Sequence, residues 1–434
     1  MRPLQIGRRA KLRVGRNALS RLLAQVGSRL ISLVLAGIVV RYTGSAGLGR
    51  YVVITTALSM GTAFTDLGLG TLLTRDTAAA PSPQDAWKLL GQLFPLRMVL
   101  AGLGAALLLI LSALPTQPGA SDRVAAASAA AGMAGVALMP RAAFELLSAF
   151  LNGRRRFDVS SSVSVASRLL ALAAGTLALV RGYGVAGVIV ASAAADAVGV
   201  VAYAGILRQW RALPRLRLSP ARWKDTLTKA YPFALTGVIS VAYRRLDVLL
   251  LSAWRGDAAA GQYGAAYKLA ETVGLIPASL LDALFPEMAG LAGQPSGRHR
   301  LRRTSRRAAP LLLIGGAALS AVGTILAAPL VRLVYGLDGA PAGTVATFRV
   351  QVWAVPAIFL YLLNGHILYV LGRQRVVTAA MAVAAAVNVA LNVLIIPRWG
   401  ALGASGVSLI SAFLLWLLLA SQARGALRPV EEAA

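Results

Sequence analysis

The stretch PLLLIGGAALSAVGTILAAPLVRLVY, residues 310–335, carries one charge in 26 residues. About 20 apolar residues in helical form cross the roughly 30 Å hydrocarbon layer of a bilayer, so the stretch reads as a membrane span. Blocks of the same kind recur on both sides of it, and the apolar content of 57% exceeds the roughly 45–50% usual for soluble domains. The chain therefore reads as a polytopic membrane protein. Hydropathy, interrupted at Gly, Pro and charged residues, places twelve helices at about 17–41, 48–72, 89–114, 124–150, 159–180, 184–207, 230–253, 259–286, 308–335, 345–371, 374–396 and 400–423.

A net charge of +28 raises nucleic acid as a partner until the basic residues are located. Counting charges at helix ends with the adjoining loops, 28 of the 44 Lys and Arg fall on the side of the N-terminus and the even-numbered loops, 6 on the other side and 10 within spans. This is the asymmetry of membrane topology, and no nucleic acid partner is expected. It places both termini in the cytoplasm and the protein in the cytoplasmic (inner) membrane. The basic loops contact anionic membrane lipids. The first helix lacks a small-residue cleavage site and is expected to be a retained span. Cysteine is absent, which excludes disulfides, thiolate metal sites and thiol nucleophiles.

Two segment matches reveal an internal repeat. YTGSAGLGRY (42–51) lies over WRGDAAAGQY (254–263) at an offset of 212, and YGVAGV (183–188) over WGALGA (399–404) at an offset of 216. The chain is thus a duplicated six-helix unit. The expected map is a cytoplasmic tail at 1–16, an N-lobe at 17–207, a cytoplasmic linker at 208–229, a C-lobe at 230–423 and a second cytoplasmic tail at 424–434. An offset of an even number of helices makes the halves parallel, and transporters with such repeats bind substrate near the midplane between the halves.

The segment VAYRRLDVLLL (241–251) sets three charges inside an apolar helix. A charge at the bilayer centre costs at least roughly 2.5–3.5 kcal/mol on insertion scales, so it faces protein or a watery cavity. Thr236, Ser240, Arg244 and Asp247 share one face of helix 7; Arg21, Gln25, Ser28, Arg29 and Ser32 share one of helix 1; Thr55, Ser59, Thr62 and Asp66 share one of helix 2; and Lys268, Glu271, Ser279 and Asp282 lie along helix 8. Arg244 and Asp247 admit two readings, a local i,i+3 ion pair or part of a binding surface. Arg141 and Glu145 read as a structural i,i+4 pair. Arg29, Arg97 and Arg168 have no acid at helical spacing in their own spans. They are neutralised either by another helix, for instance through Asp66 or Asp196, or by an anionic ligand such as phosphate, which guanidinium binds through two parallel hydrogen bonds. Asn388 and Asn392, an i,i+4 pair, suit interhelical hydrogen bonding.

Through RYTGSAGLGRYVV, DLGLGTLLTRD, YPFALTGVISVAYRRLDVLLLSAWRGDAAAGQYGAAYKLAETVGLIPASLLDALFPEMA and NGHILYVLGRQRVVTAAMAVAAAVNVALNVLIIPRWGALGASGVSLI, the chain resembles the multidrug/oligosaccharidyl-lipid/polysaccharide (MOP) flippase superfamily, and within it the Wzx-type polysaccharide exporters. The resemblance implies an all-α membrane protein with two six-helix lobes in a V that alternate in access, carrying a sugar on an undecaprenyl-type (pyro)phosphate. It implies a cationic cavity with Arg29, Arg244, Arg245 and Lys268 as head-group ligands, to which Arg97 and Arg168 are added on the grounds above. Asp66, Asp247, Glu271 and Asp196 are the candidates for ion coupling or gating. No cofactor is expected, with transport drawing on a proton or sodium gradient or on the membrane potential. Polysaccharide polymerase or glycosyltransferases are the expected protein partners. A cation-coupled multidrug or metabolite antiporter of the same superfamily is the alternative. The first helix lacks the acid that multidrug antiporters of this superfamily often use. Membrane-embedded enzymes acting on the same carrier usually need a sizeable outer loop, whereas the outer loops here are short and carry no catalytic constellation, so a transporter and not an enzyme is expected.

Overall fold

The computed structural model describes residues 8–113, 122–210, 216, 220–274, 281, 288, 290–291, 297–336 and 340–427, with side chains from residue 24 and, in the fourth helix, from residue 125. The described residues are helical almost throughout and include no strand. In order these are α1 (Arg8–Asp66), α2 (Leu69–Ala79), α3 (Pro83–Ala113), α4 (Asp122–Gly153), α5 (Phe157–Val180), α6 (Gly184–Gln209), α7 (Pro220–Arg255), α8 (Asp257–Val273), α9 (Gly297–Ile325), α10 (Ala327–Tyr335), α11 (Thr344–Gln351), a 3-10 turn (Val352–Ala354), α12 (Val355–Val370) and α13 (Gln374–Ala426). Helix is the form that satisfies every backbone polar group within one segment, which a hydrocarbon solvent requires. Large apolar side chains stand outward along these helices, among them Leu107, Leu311, Ile325 and Leu394, as expected where the surrounding solvent is lipid.

Breaks between helices fall where single residues force them. α1 is interrupted at Gly44 (φ 70°, ψ −172°) and α13 at Gly400 (φ 54°, ψ −138°), so each comprises two spans. The repeat is visible in the backbone: Gly256, 212 residues after Gly44, has φ 83° and ψ 174°, and Gly184, 216 residues before Gly400, has φ 58°. A third copy had no sequence signal. After α4, the N–H of Arg155 donates to Asn152 O and that of Arg156 to Leu151 O; after α12, the N–H of Gly372 donates to Tyr369 O and that of Arg373 to Leu368 O, a constant offset of 217. Arg155 adopts φ 58° where its counterpart Gly372 adopts 73°, so the turn geometry repeats although the residue does not.

Five features of the expected helix map are corrected. Helix 48–72 breaks at Leu67–Gly68, both left-handed, because the chain turns against α7 there: a Cβ on Gly68 would stand 2.6 Å from Ala230 O. Helix 308–335 divides at Leu326, three residues before Pro329, whose ring cannot continue the hydrogen bonding of the preceding turn. Helix 345–371 tightens to a 3-10 turn just before Pro356 for the same reason. α9 starts at Gly297 and α7 at Pro220, each about ten residues before the apolar block, because arginine and lysine are good helix formers in water and the helices run on past the hydrocarbon. Residues 220–229 of the expected linker are accordingly helix, and residues 211–215 and 217–219 of it lie outside the described set.

The chain forms two compact units. The first comprises Met1–Leu35, Gly61–Leu114 and Ala131–Ala234. Its core gathers Leu69, Leu73, Leu90, Phe144, Phe150 and Tyr203, with Phe144 and Tyr203 ring centres 5.2 Å apart. Gly199 admits the Phe144 ring, since a Cβ there would meet ring carbon Cε2 at 2.5 Å. The second unit comprises Ala36–Met60, Pro115–Ala130 and Leu235–Ala434. Within it α9 packs on α12 through Gly316 against Pro356, and Ser320 donates to Val352 O at 2.7 Å. The two copies of the 42–51 motif meet here. A Cβ on Gly49 would collide with the Asp257 carbonyl, and one on Gly261 would stand 2.5 Å from Ser45 O. Arg50 closes the rim with Nε 3.3 Å from Asp257 Oδ2.

Candidate functional site

In the first unit, Arg97 of α3 is completely buried. One guanidinium nitrogen donates to Thr65 Oγ1 at 2.8 Å, another to the Thr62 carbonyl at 3.3 Å, and Nε lies 3.5 Å from Asp66. Asp66 in turn accepts from the Gly70 N–H, at 3.2 and 3.3 Å from its two oxygens, so it caps the first turn of α2 while facing the arginine. The phosphate reading of Arg97 gives way to the interhelical one, because no face of its guanidinium is open to a ligand. Asp196 is 9% exposed, accepts from Ser167 Oγ at 3.3 Å and lies 3.6 Å from Arg141, which also pairs with Glu145 at 2.7 Å. The expected Arg141–Glu145 pair is therefore part of a larger network. Arg29 on α1 and Arg168 on α5 are half-buried.

In the second unit the charges of VAYRRLDVLLL separate. Arg244 and Asp247 are one turn apart, yet Asp247 is 3% exposed and accepts hydrogen bonds from the Tyr263 hydroxyl, from Ser408 Oγ at 3.5 Å and from its neighbour Val248 N–H at 2.8 Å. It ties α7 to α8 and α13 and makes no ion pair with Arg244. The local-pair reading is corrected, since a phenol and a serine reach the carboxylate that Arg244 leaves. Arg244 is exposed, within electrostatic range of the Tyr267 and Tyr361 hydroxyls. Arg245, half-buried, lies over the Tyr267 ring at 4.8 Å, with a nitrogen 3.6 Å from Glu271. Lys268 Nζ sits 5.6 Å from the centre of the Tyr51 ring, at the end of the motif that packs on α8.

Three cations and a set of tyrosines thus share the α7–α8 face, with Glu271 beside them and Asp247 tucked behind. Cation–π contacts hold the heads of Arg245 and Lys268 in place, and Arg244 is exposed beside them. Sequence reasoning missed the tyrosines. Tyr263, Tyr267 and Glu271 stand at i, i+4 and i+8, a readable stripe hidden by attention to charge alone. Asp282 and Ser279 of the expected helix 8 line, and the Arg21 side chain, lie outside the described residues. Asn392 donates to Asn388 at 2.9 Å and Asn388 to Ser411 at 3.0 Å, joining the two spans of α13.

The family model described as polysaccharide biosynthesis protein matches residues 14–291. The chain belongs to this family. A second model, MatE, matches residues 232–394, which include the cation and tyrosine cluster. No protein of curated function matches the sequence. Among solved structures, the lipid II flippase MurJ in an inward-closed conformation superposes with a TM-score of 0.74 at 12% identity, over 93% of this chain and 87% of that one. The inward-facing form of a multidrug resistance MATE family transporter of the MOP superfamily gives 0.73 at 13% identity, over 94% and 98%. An outward-facing form with the same description gives 0.58 at 14%, over 95% and 96%. This member of the polysaccharide biosynthesis family thus shares the multi-pass helical fold of these MOP-superfamily structures, with eight helices among the described residues long and apolar enough to cross a membrane.

Proposed function

We propose that this flippase translocates an oligosaccharide linked to an undecaprenyl-type (pyro)phosphate from the inner to the outer leaflet of the cytoplasmic membrane, by alternating access, for cell-surface polysaccharide synthesis. The observation that carries the reading is the α7–α8 face, where Arg244 is exposed, Arg245 is stacked on Tyr267 and Lys268 stands over Tyr51. Arginine forks suit phosphate oxygens, and tyrosine rings suit the faces of sugars. In this reading Arg244, Arg245 and Lys268 hold the phosphate, Glu271 orients Arg245, and Arg29 and Arg168 are the first unit's candidates for the same ligand chemistry. Each negative charge carried outward gains about 2.3 kcal/mol per 100 mV of inside-negative potential, so the membrane potential can drive the cargo without a coupled ion. The cytoplasmic location of both termini belongs to the same proposal and rests on the distribution of Lys and Arg.

The test is reconstitution in vesicles with a fluorescent polyprenyl-diphosphate oligosaccharide, reading its protection from an external glycosidase. Arg244→Ala and Arg245→Ala are expected to lower translocation at least tenfold with the protein still folded. A full rate in the double variant would remove this face from the site. The alternative, a cation-coupled exporter, draws support from Asp247, a buried carboxylate on a phenol of the kind a proton can visit. It requires proton-driven dye efflux that stops in Asp247→Asn, with no sugar-lipid movement.

A further inference from the structure

A basic pocket lies within the second unit, lined by none of the α7–α8 residues. It has a volume of about 660 Å³ and is lined by one face each of α9, α12 and α13. Its residues follow helical spacing: Arg302, Ser305 and Arg306 on α9, Asn364 on α12, and Trp416 and Arg424 on α13. The three arginines sit at the start of α9 and the end of α13, the same end of the unit, and the charge asymmetry assigns that end to the cytoplasm. The remaining lining is apolar, running from Ala309 and Leu313 to Leu360 and Ala420, and among the described residues no acid lines it. Trp416 is half-buried, its ring edge-on to Phe413 at 6.1 Å. Arg302, Arg306 and Arg424 make no ion pair among the described residues, so three positive charges converge on a cavity whose other walls suit hydrocarbon.

We propose that this pocket binds the phosphate head group of an anionic lipid, with the arginines and Asn364 around the phosphate and the upper part of an acyl or isoprenyl chain along Leu313, Leu360 and Trp416. A polar mouth, an aromatic residue at the interface and an apolar wall form the gradient that an amphiphile presents along its own length. Neither a free anion, which gains nothing from the wall, nor a neutral lipid, which gains nothing from three guanidiniums, fits both parts. The site shares no lining residue with the α7–α8 face and does not rest on the flippase reading. Lipid bound there would brace the inner ends of α9, α12 and α13 together.

The experiment uses the full chain in nanodiscs containing brominated lipids, which quench nearby tryptophan emission. Subtracting the spectrum of Trp416→Phe isolates this residue from the other six tryptophans. Brominated phosphatidylglycerol is expected to quench Trp416 far more than brominated phosphatidylcholine does. Arg302→Gln/Arg306→Gln/Arg424→Gln should erase the preference, lowering the apparent affinity on the order of a hundredfold, since each basic residue near a charged leaflet contributes roughly fivefold. The corresponding triple lysine variant should keep most of it, which separates lost charge from lost fold. Displacement of brominated phosphatidylglycerol by added isoprenyl phosphate would identify the carrier lipid as the occupant, whereas failure to displace it would identify a bilayer phospholipid. Equal quenching by the anionic and zwitterionic lipids, or quenching unchanged in the glutamine variant, would overturn the proposal.

Discussion

Arg97 in the first unit and Arg244 in the second are both arginines within apolar helices, and their surroundings are opposite. Arg97 is wholly enclosed and gives its donors to Thr65, the Thr62 carbonyl and the Asp66 side. Arg244 is exposed and its nearby acid, Asp247, is taken by Tyr263 and Ser408. One arginine joins helices and the other is left exposed, as the proposed head-group role requires. The difference teaches that a charge within a span is open to a ligand only where its neighbours leave it exposed, and spacing along its own helix does not show that.

The comparison breaks most visibly at Arg97. Arg97→Met removes one partner of a buried network and leaves Asp66 facing an apolar side chain, so a loss of about 3–5 kcal/mol is expected, seen as a lower unfolding temperature in detergent and poor yield. Wild-type stability in this variant would place Arg97 with Arg244. Gly49→Val tests the packed motif of the second unit, because its side chain has no room beside the Asp257 carbonyl. A cost of about 1–3 kcal/mol is expected by the same measurement, together with loss of transport. Tyr263→Phe strips Asp247 of its phenol donor and should cost about 1–2 kcal/mol, while Asp247→Asn in the same background should recover part of that.

Arg244→Ala sharpens the contrast from the other side. Its thermal stability should stay within about 0.5 kcal/mol of the parent while translocation collapses, and Arg244→Lys should be impaired because a point charge does not replace a fork. The smallest effect belongs to the rim pair. Arg50 is 65% exposed, so Arg50→Gln should cost below about 1 kcal/mol in low salt and nothing measurable in high salt.

Much of the fold was legible in the residues. Glycines with neighbours of matching type marked the breaks at Gly44, Gly256 and Gly400, and all three adopt positive φ. The breaks at Gly68 and Leu326 were missed because hydropathy continues across them, whereas the backbone responds to α7 packing at the first and to Pro329 at the second. The candidate site was legible as a set of residue types and not as a set of partners. Arg245 and Glu271 lie on different helices, as do Asp247 and Ser408, 161 residues apart.

By itself the sequence determined that this chain spans a membrane many times, how unevenly its basic residues are shared among the loops, and that its glycine turns recur at a near-constant offset. These follow from chain-local physics: the hydrocarbon layer sets span length, lysine and arginine resist translocation, and a glycine permits positive φ wherever it stands. Only the tertiary structure decided which charges are spent on one another. Bringing Thr65 to Arg97, or Tyr263 to Asp247, requires two helices set at one depth and one rotation, to within the 3 Å or so over which a hydrogen bond acts. No periodicity within a single helix carries that information.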